Sequence, residues 1–308
     1  MKRKYLAVGI ILLFIGTSII PSATSELTNG KRLTNSATII TVDDEPGDAD
    51  FTSIREAVNY SSPGDTIEAY SGIYREDGIQ LTKENVNLLG IDHELGEGND
   101  SGKPFIKPDG NATVIVVEAN HVMVSNFRIE LLSSSYCIRL GAVDPDLHQN
   151  NITISDCIIR NSKIERNNGI NVVDVGNNVR IINNEISNCS SGIYAGAQHP
   201  GSLTITGNVI TDCMKYGVVL SSNQQNVSGN RIRQCENGII IYGTNNIIYG
   251  NDFDDCRIGV YSPVFDFDED ERGNTIIKNN FKNYSNEPWC REWNLNTCTS
   301  SGRNLASS

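Results

Sequence analysis

The chain has 308 residues, 38% hydrophobic and 20% charged, so it can bury a core and does not have the composition of a disordered segment. Its 37 acidic residues outnumber 25 basic ones, for a net charge of −12. That balance argues against nucleic acid and anionic lipid surfaces as partners and leaves cations and neutral polymers.

In chain order, Lys2, Arg3 and Lys4 precede an apolar run from Tyr5 to Ile20 and the small-residue stretch Pro21 to Ser25. This pattern predicts a secretory signal over residues 1–25, cut after Ser25, with an uncleaved anchor as the alternative. No second stretch reaches the length of a membrane span, so the expected location is extracellular or on the cell surface, with no stable span after cleavage. All eight cysteines follow the signal, as suits a chain bound for an oxidising compartment.

Residues 26–121 are expected to form an amino-terminal cap and the first coils. Asp43, Asp44, Glu45, Asp48 and Asp50 form an acidic run that reads as solvated surface or as hard oxygen ligands for a cation. Ser53 and Glu56 have capping-box spacing ahead of Ile54, Ala57 and Val58, which predicts a short helix over 53–60 covering the open end of the fold. Pro63, Gly64 and Asp65 turn the chain into a strand from Thr66 to Tyr70, and the Gly-, Asp- and Glu-rich residues 92–104 read as a loop.

Residues 122–284 repeat. Asn184, Asn208, Asn230, Asn251 and Asn279 recur at intervals of 24, 22, 21 and 28, each two residues before Ile186, Ile210, Ile232, Phe253 or Phe281. Cys189, Cys213, Cys235 and Cys256 follow in register, then Gly192, Gly217, Gly238 and Gly259. Three residues before each asparagine stands Ile181, Ile205, Val227, Ile248 or Ile276, a column that reaches back to Ile154 and Val124. The segments between turn residues are short and alternate with period two, as in Ile239 and Ile241, so each strand must bury its apolar face by stacking on the next coil. A parallel β-helix follows, with asparagine and glycine expected at left-handed corners.

The run from Asp50 to Ala57, with Pro63, Gly64, Asp65, Thr66, Ile67 and then Gly72, Ile73, Tyr74, Arg75, Glu76, resembles the opening coil of pectin-lyase-like proteins. Repeats such as Gly229, Asn230, Arg231, Ile232 and Gly250, Asn251, Asp252, Phe253 resemble the NosD-like, carbohydrate-binding and sugar-hydrolase (CASH) group. The resemblance implies an all-β, single-domain, right-handed parallel β-helix. It spans lyases, hydrolases, esterases, epimerases and noncatalytic surface proteins, so it does not choose an activity. The Gln-Asp-Thr-Leu run of pectin methylesterases and the His-Gly and Arg-Ile-Lys motifs of polygalacturonases are absent. The NosD-like resemblance also raises copper handling, for which three methionines and four histidines are at hand.

Insertions follow the glycine-led strand in neighbouring coils and carry Asp144, Asp146 and His148, then Asp174, then His199. Carboxylates beside a histidine could do general acid–base work, with solvated loop polarity as the plainer alternative and Arg160 and Arg180 as basic groups for a lyase. Asp266, Asp268 and Asp270 sit in an acidic insertion that could hold calcium. One residue beyond each inward position, Tyr194, Val219, Ile240 and Tyr261 are expected to form an outward apolar stripe that stacks on sugar rings, docks a partner or is covered by the same chain. The cysteine ladder is expected to hold free buried thiols, while Cys290 and Cys298, in the 285–308 tail, are expected to bridge.

These features together point to an exported monomer that engages polysaccharide or envelope glycans along a lateral face. The rivals are a polysaccharide lyase or glycoside hydrolase using Asp144, Asp146, His148, Asp174 and His199, and a structural or copper-site maturation accessory.

Overall fold

A computed structural model describes residues 36–96, 98–131, 135–141, 148–162, 167–173, 175–196, 201–262, 273–283 and 297–299. The signal expected over residues 1–25 lies outside them. Three parallel sheets wrap one core, two of ten strands and one of eight. Each coil feeds the three sheets in turn. Thr66–Ala69 joins the first sheet, Ile73–Tyr74 the second and Ile79–Leu81 the third, and Asn87–Gly90, Phe105–Ile106 and Ile115–Val117 repeat the order one coil later. Neighbouring strands pair in parallel, and the solenoid is right-handed, as crossovers between parallel strands of one sheet almost always are. The strand expected to run to Tyr70 ends at Ala69.

The apolar columns become inward rows. Val124, Ile154, Ile181, Ile205, Val227, Ile248 and Ile276 stack on consecutive strands of the first sheet, and Leu88, Ile67 and Ile40 extend the row towards the amino terminus. Ile159, Ile186, Ile210, Ile232, Phe253 and Phe281 do the same on the second, where the last two rings stack at 4.8 Å between centroids. At roughly 1.5–3 kcal/mol for each large side chain removed from water, these rows dominate the stability of the coils.

The asparagine column works differently from the sequence expectation. Asn184, Asn208, Asn230, Asn251 and Asn279 are buried and do not have positive φ; the preceding residues Asn183, Gly207, Gly229, Gly250 and Lys278 do, with φ between 56° and 69°. The left-handed corner and the interior amide are thus adjacent residues with separate tasks. The glycines Gly192, Gly217, Gly238 and Gly259 are not left-handed either. A Cβ at Gly192 would stand 2.5 Å from the Cγ2 of Ile210, and one at Gly259 would stand 2.2 Å from the Phe281 ring, so close approach across the core excludes a side chain there.

The helix forms at Ile54–Tyr60, with Ser53 as N-cap accepting the Glu56 N–H at 3.2 Å. Glu76 from the next coil completes the cap: its carboxylate accepts from Ser53 Oγ and from the backbone N–H groups of Ile54 and Arg55. The buried face of Ile54, Ala57 and Val58 packs against Ile79–Leu81, the terminal strand of the third sheet, whose edge the helix covers.

Candidate functional site

The outer surface of the third sheet carries a continuous side-chain row. Gln80, Val116, Arg139, Asn171, Tyr194, Val219, Ile240 and Tyr261 stand in register on successive strands. Alternation on a strand puts these side chains outside the core while Ile170, Ile193, Val218 and Ile239 line it. The four residues expected to form a stripe therefore share one row, but not one exposure. Tyr194 is 37% exposed, whereas Val219 and Ile240 are each only 2% exposed. Tyr194 and Tyr261 flank the two aliphatic residues in the row, and the Tyr242 hydroxyl is held above its ordinary pKa by burial first and then by the Tyr216, Tyr194 and Tyr261 hydroxyls. Four tyrosines thus gather on this face.

At the Tyr194 end the row opens into a cleft of about 470 Å³, lined by Tyr136, Asn168, Asn171, Ser191, Tyr194 and Lys215 among others. The strands Asn168–Val172 and Ser191–Ala195 place these groups, because Asn168 pairs with Ser191 and Asn171 with Tyr194 in the ladder. Asn168 Nδ2 donates to Asn171 Oδ1 at 3.0 Å, which fixes both amides. Gly196 leaves room for the Tyr194 ring, since a Cβ there would stand 2.5 Å from Cε1. Arg139, one rung from Asn171 in the row, pairs with Glu118 and does not line the cleft. An aromatic ring beside fixed amides and hydroxyls offers an apolar face and directional hydrogen bonds in one concavity.

Of the acid–base candidates, Asp144, Asp146, Asp174 and His199 lie outside the described residues. His148 is described: its carbonyl accepts from Asn150 Nδ2 at 2.9 Å in the turn between the third and first sheets, and it is not among the residues lining the cleft. Arg160 and Arg180 stand on strands of the second and first sheets, away from the cleft's sheet. Asp266, Asp268, Asp270 and Cys290 also lie outside the described residues, and Cys298 is described by its backbone alone, paired in register with Phe281. The sequence reading missed Asn168, Asn171 and Lys215. Asn168 and Asn171 stand in a run that reads as part of the repeat, with Gly169 in its glycine column, and Lys215 carries no motif.

Cys137, Cys157, Cys189, Cys213, Cys235 and Cys256 are free and buried. Cys189, Cys213, Cys235 and Cys256 form the expected ladder, each with Sγ directed at the backbone carbonyl two residues before it. The neighbouring thiol, and then burial, push Cys256 far above its ordinary pKa. Burial raises Cys137 to about 12 and Cys157 to about 11.

Residues 58–294 match the family described as periplasmic copper-binding protein (NosD). The chain belongs to the NosD family. No curated protein matches it. Among solved structures, this NosD-family chain is similar to a DFA-IIIase mutant from Arthrobacter chlorophenolicus A6 in complex with DFA-III, at 15% identity and TM-score 0.57, over 83% of this chain and 70% of that one. It is also similar to the alginate lyase from Paenibacillus sp. str. FPU-7, at 10% identity and TM-score 0.50, over 86% of this chain and 99% of that one. A third match, the Geobacillus virus E2 ORF18 protein, has 17% identity and TM-score 0.49 over 80% of this chain, which spans only 56% of that protein. At these identities the likeness to the first two establishes the fold, and the site must carry the function.

Proposed function

We propose that this NosD-family chain is an exported β-helix protein that binds glycan along the outer face of its third sheet, centred on the cleft beside Tyr194. The observation that carries this reading is the union of Tyr136 and Tyr194 with Asn168, Asn171, Ser191 and Lys215 around one open concavity of about 470 Å³. Sugars present apolar ring faces and rings of hydroxyls, and such a lining answers both. The tyrosine row from Tyr194 to Tyr261 continues the surface along the solenoid axis, which suits an extended polymer. A net charge of −12 sets the preference towards neutral or sparsely charged chains. Export rests on the amino-terminal signal pattern and on the periplasmic description of the family; no helix among the described residues is long and apolar enough to cross a membrane.

Binding is favoured over turnover by the lining itself. Among the described residues at the cleft, the titratable groups are Lys215 and tyrosine hydroxyls, with no carboxylate or imidazole to act as acid and base. Among the described residues, copper finds no fitting donor set either. The described thiols are buried and directed at backbone carbonyls, and the described side chains that converge as potential ligands are carboxylates.

The test is a panel of soluble polysaccharides offered to the purified protein, read both for binding and for new reducing or unsaturated ends. Saturable binding without new ends supports the reading, and loss of that binding in Asn171→Ala places it at the cleft. New ends, or no binding to any polymer, would reject it.

A further inference from the structure

The amino-terminal coil holds a second constellation that glycan binding does not use. Asp43 and Asp44, with Glu45, follow the first strand Ile39–Val42, and Glu94 and Asp100 come from the loop between Asn87–Gly90 and Phe105–Ile106. Ligand oxygens of Asp43, Asp44 and Glu45 lie within 4.8 Å of one another, and those of Glu45, Glu94 and Asp100 do the same. Two oxygens bound to one calcium ion at about 2.3–2.6 Å can be at most about 5 Å apart, so both triads meet the spacing a shared calcium ion demands.

The crowding is enclosed. Asp43 is fully buried, and neither of its carboxylate oxygens has a hydrogen-bond partner. Asp44 Oδ1, Glu45 Oε2 and Glu94 Oε1 are likewise sealed from solvent without a partner. Among the described residues, no lysine or arginine pairs with these acids. A buried carboxylate with neither a donor nor a counter-charge is costly; Asp43 is one, and single unpartnered oxygens of Asp44, Glu45 and Glu94 crowd beside it.

The backbone is shaped around the carboxylates. A Cβ at Gly72 would fall 1.8 Å from Asp44 Oδ1, one at Gly96 would fall 2.3 Å from Asp48 Oδ2, and one at Gly98 would fall 2.3 Å from Glu94 Cδ. Any side chain at these positions displaces an acid. The Ile73 N–H orients Asp44 through Oδ2 at 3.0 Å, and the Asp100 N–H orients Glu94 through Oε2 at 2.9 Å, which leaves the other oxygen of each turned into the cluster.

We infer that Asp43, Asp44, Glu45 and Glu94, with Asp100 at the rim, form a calcium-type cation site that clamps the loop after the first strand to the loop spanning 92–104. All the donors are hard oxygens, which select calcium over copper or zinc. The clamp ties together two coils where the solenoid begins, and it is independent of glycan binding at the third sheet.

The experiment dialyses the purified protein against chelator and titrates calcium back, reading bound ion by equilibrium dialysis and the thermal midpoint by circular dichroism. Terbium luminescence excited through tyrosine gives a local readout, because the Tyr74 hydroxyl donates to the carbonyl of Val42, the residue before Asp43, at 3.1 Å. Saturable binding and a midpoint that rises with calcium are expected. Asp43→Asn and Glu94→Gln are expected to weaken binding about tenfold or more while keeping the β spectrum. Asp266→Asn, Asp268→Asn and Asp270→Asn together should leave the site intact. Gly72→Ala, which displaces Asp44, keeps the test decisive if Asp43→Asn does not fold. Absence of saturable binding, or binding unchanged by the cluster variants, would overturn the inference.

Discussion

Asn208 Nδ2 donates to Oδ1 of Asn230, one coil further on, at 2.9 Å, and the same oxygen accepts the backbone N–H of Asn208 at 2.9 Å. Asn230 repeats both bonds to Asn251 and also donates to the Ile205 carbonyl. The side-chain amides thus satisfy backbone groups at an interior bend where the sheets cannot, and each asparagine depends on the one above it.

Asn230→Ala is therefore expected to leave the Asn208 donors and the Ile205 carbonyl without this partner inside the core. At roughly 1–3 kcal/mol for each buried group left unpaired, the loss should be about 2–5 kcal/mol. Urea unfolding checks it, and a midpoint equal to that of the parent would contradict the ladder's role.

Ile232 and Arg231 are neighbours in one strand with opposite surroundings, fully buried and exposed respectively. Ile232→Ala should cost about 2–5 kcal/mol through lost burial and the cavity left behind. Arg231→Ala gives up only a solvent-exposed contact to Asp252 at 3.9 Å, and its change should stay within about 0.5 kcal/mol. Equal effects in denaturant melts would mean the inward row has been misassigned.

The thiols give a pH-dependent prediction. Cys137 and Cys157 keep their protons in the fold to about 12 and 11, above the ordinary thiol value, so the native state binds more protons than the unfolded chain once the pH exceeds about 8.5. Stability should consequently fall as the pH rises from that point towards those values. In the native protein at pH 8, iodoacetamide should leave the six buried cysteines from Cys137 to Cys256 unmodified, as seen by mass spectrometry. Rapid labelling of Cys213, or a Cys213–Cys235 bridge in unreduced peptides, would reject the buried-thiol description.

Much of the fold was legible because a solenoid writes its geometry into sequence spacing. The Ile181, Ile205, Val227, Ile248 column appears in the structure as one stacked row, since residues at equal positions in successive coils must meet. Other features depend on neighbours distant in sequence. Glu76 caps the helix from the next coil, and Val219 and Ile240 are buried although they stand in the same outward row as the exposed Tyr194. The acidic run after the first strand was visible in the sequence, yet Asp50 turns to Thr41, accepting from its N–H at 3.0 Å, while Glu94 arrives from another coil. Spacing within a run could not separate those two roles.

The tyrosine row supplies the sharpest test of glycan binding. Tyr194→Ala with Tyr261→Ala removes both rings that bracket Val219 and Ile240, and stacking contacts of this kind contribute on the order of 1 kcal/mol or more. Isothermal titration with the glycan found by the panel should show that loss. Removing the rings also uncovers Val219 and Ile240, so Tyr136→Ala, which alters the cleft without touching the row, serves as the companion variant. Both variants should weaken binding, whereas Asp266→Asn with Asp268→Asn and Asp270→Asn should leave it unchanged. A catalytic protein would behave otherwise: His148→Ala or His199→Ala would abolish product formation while binding survived. If the tyrosine variants are silent and a histidine variant removes product, the lateral-face binding reading gives way to the enzymatic one.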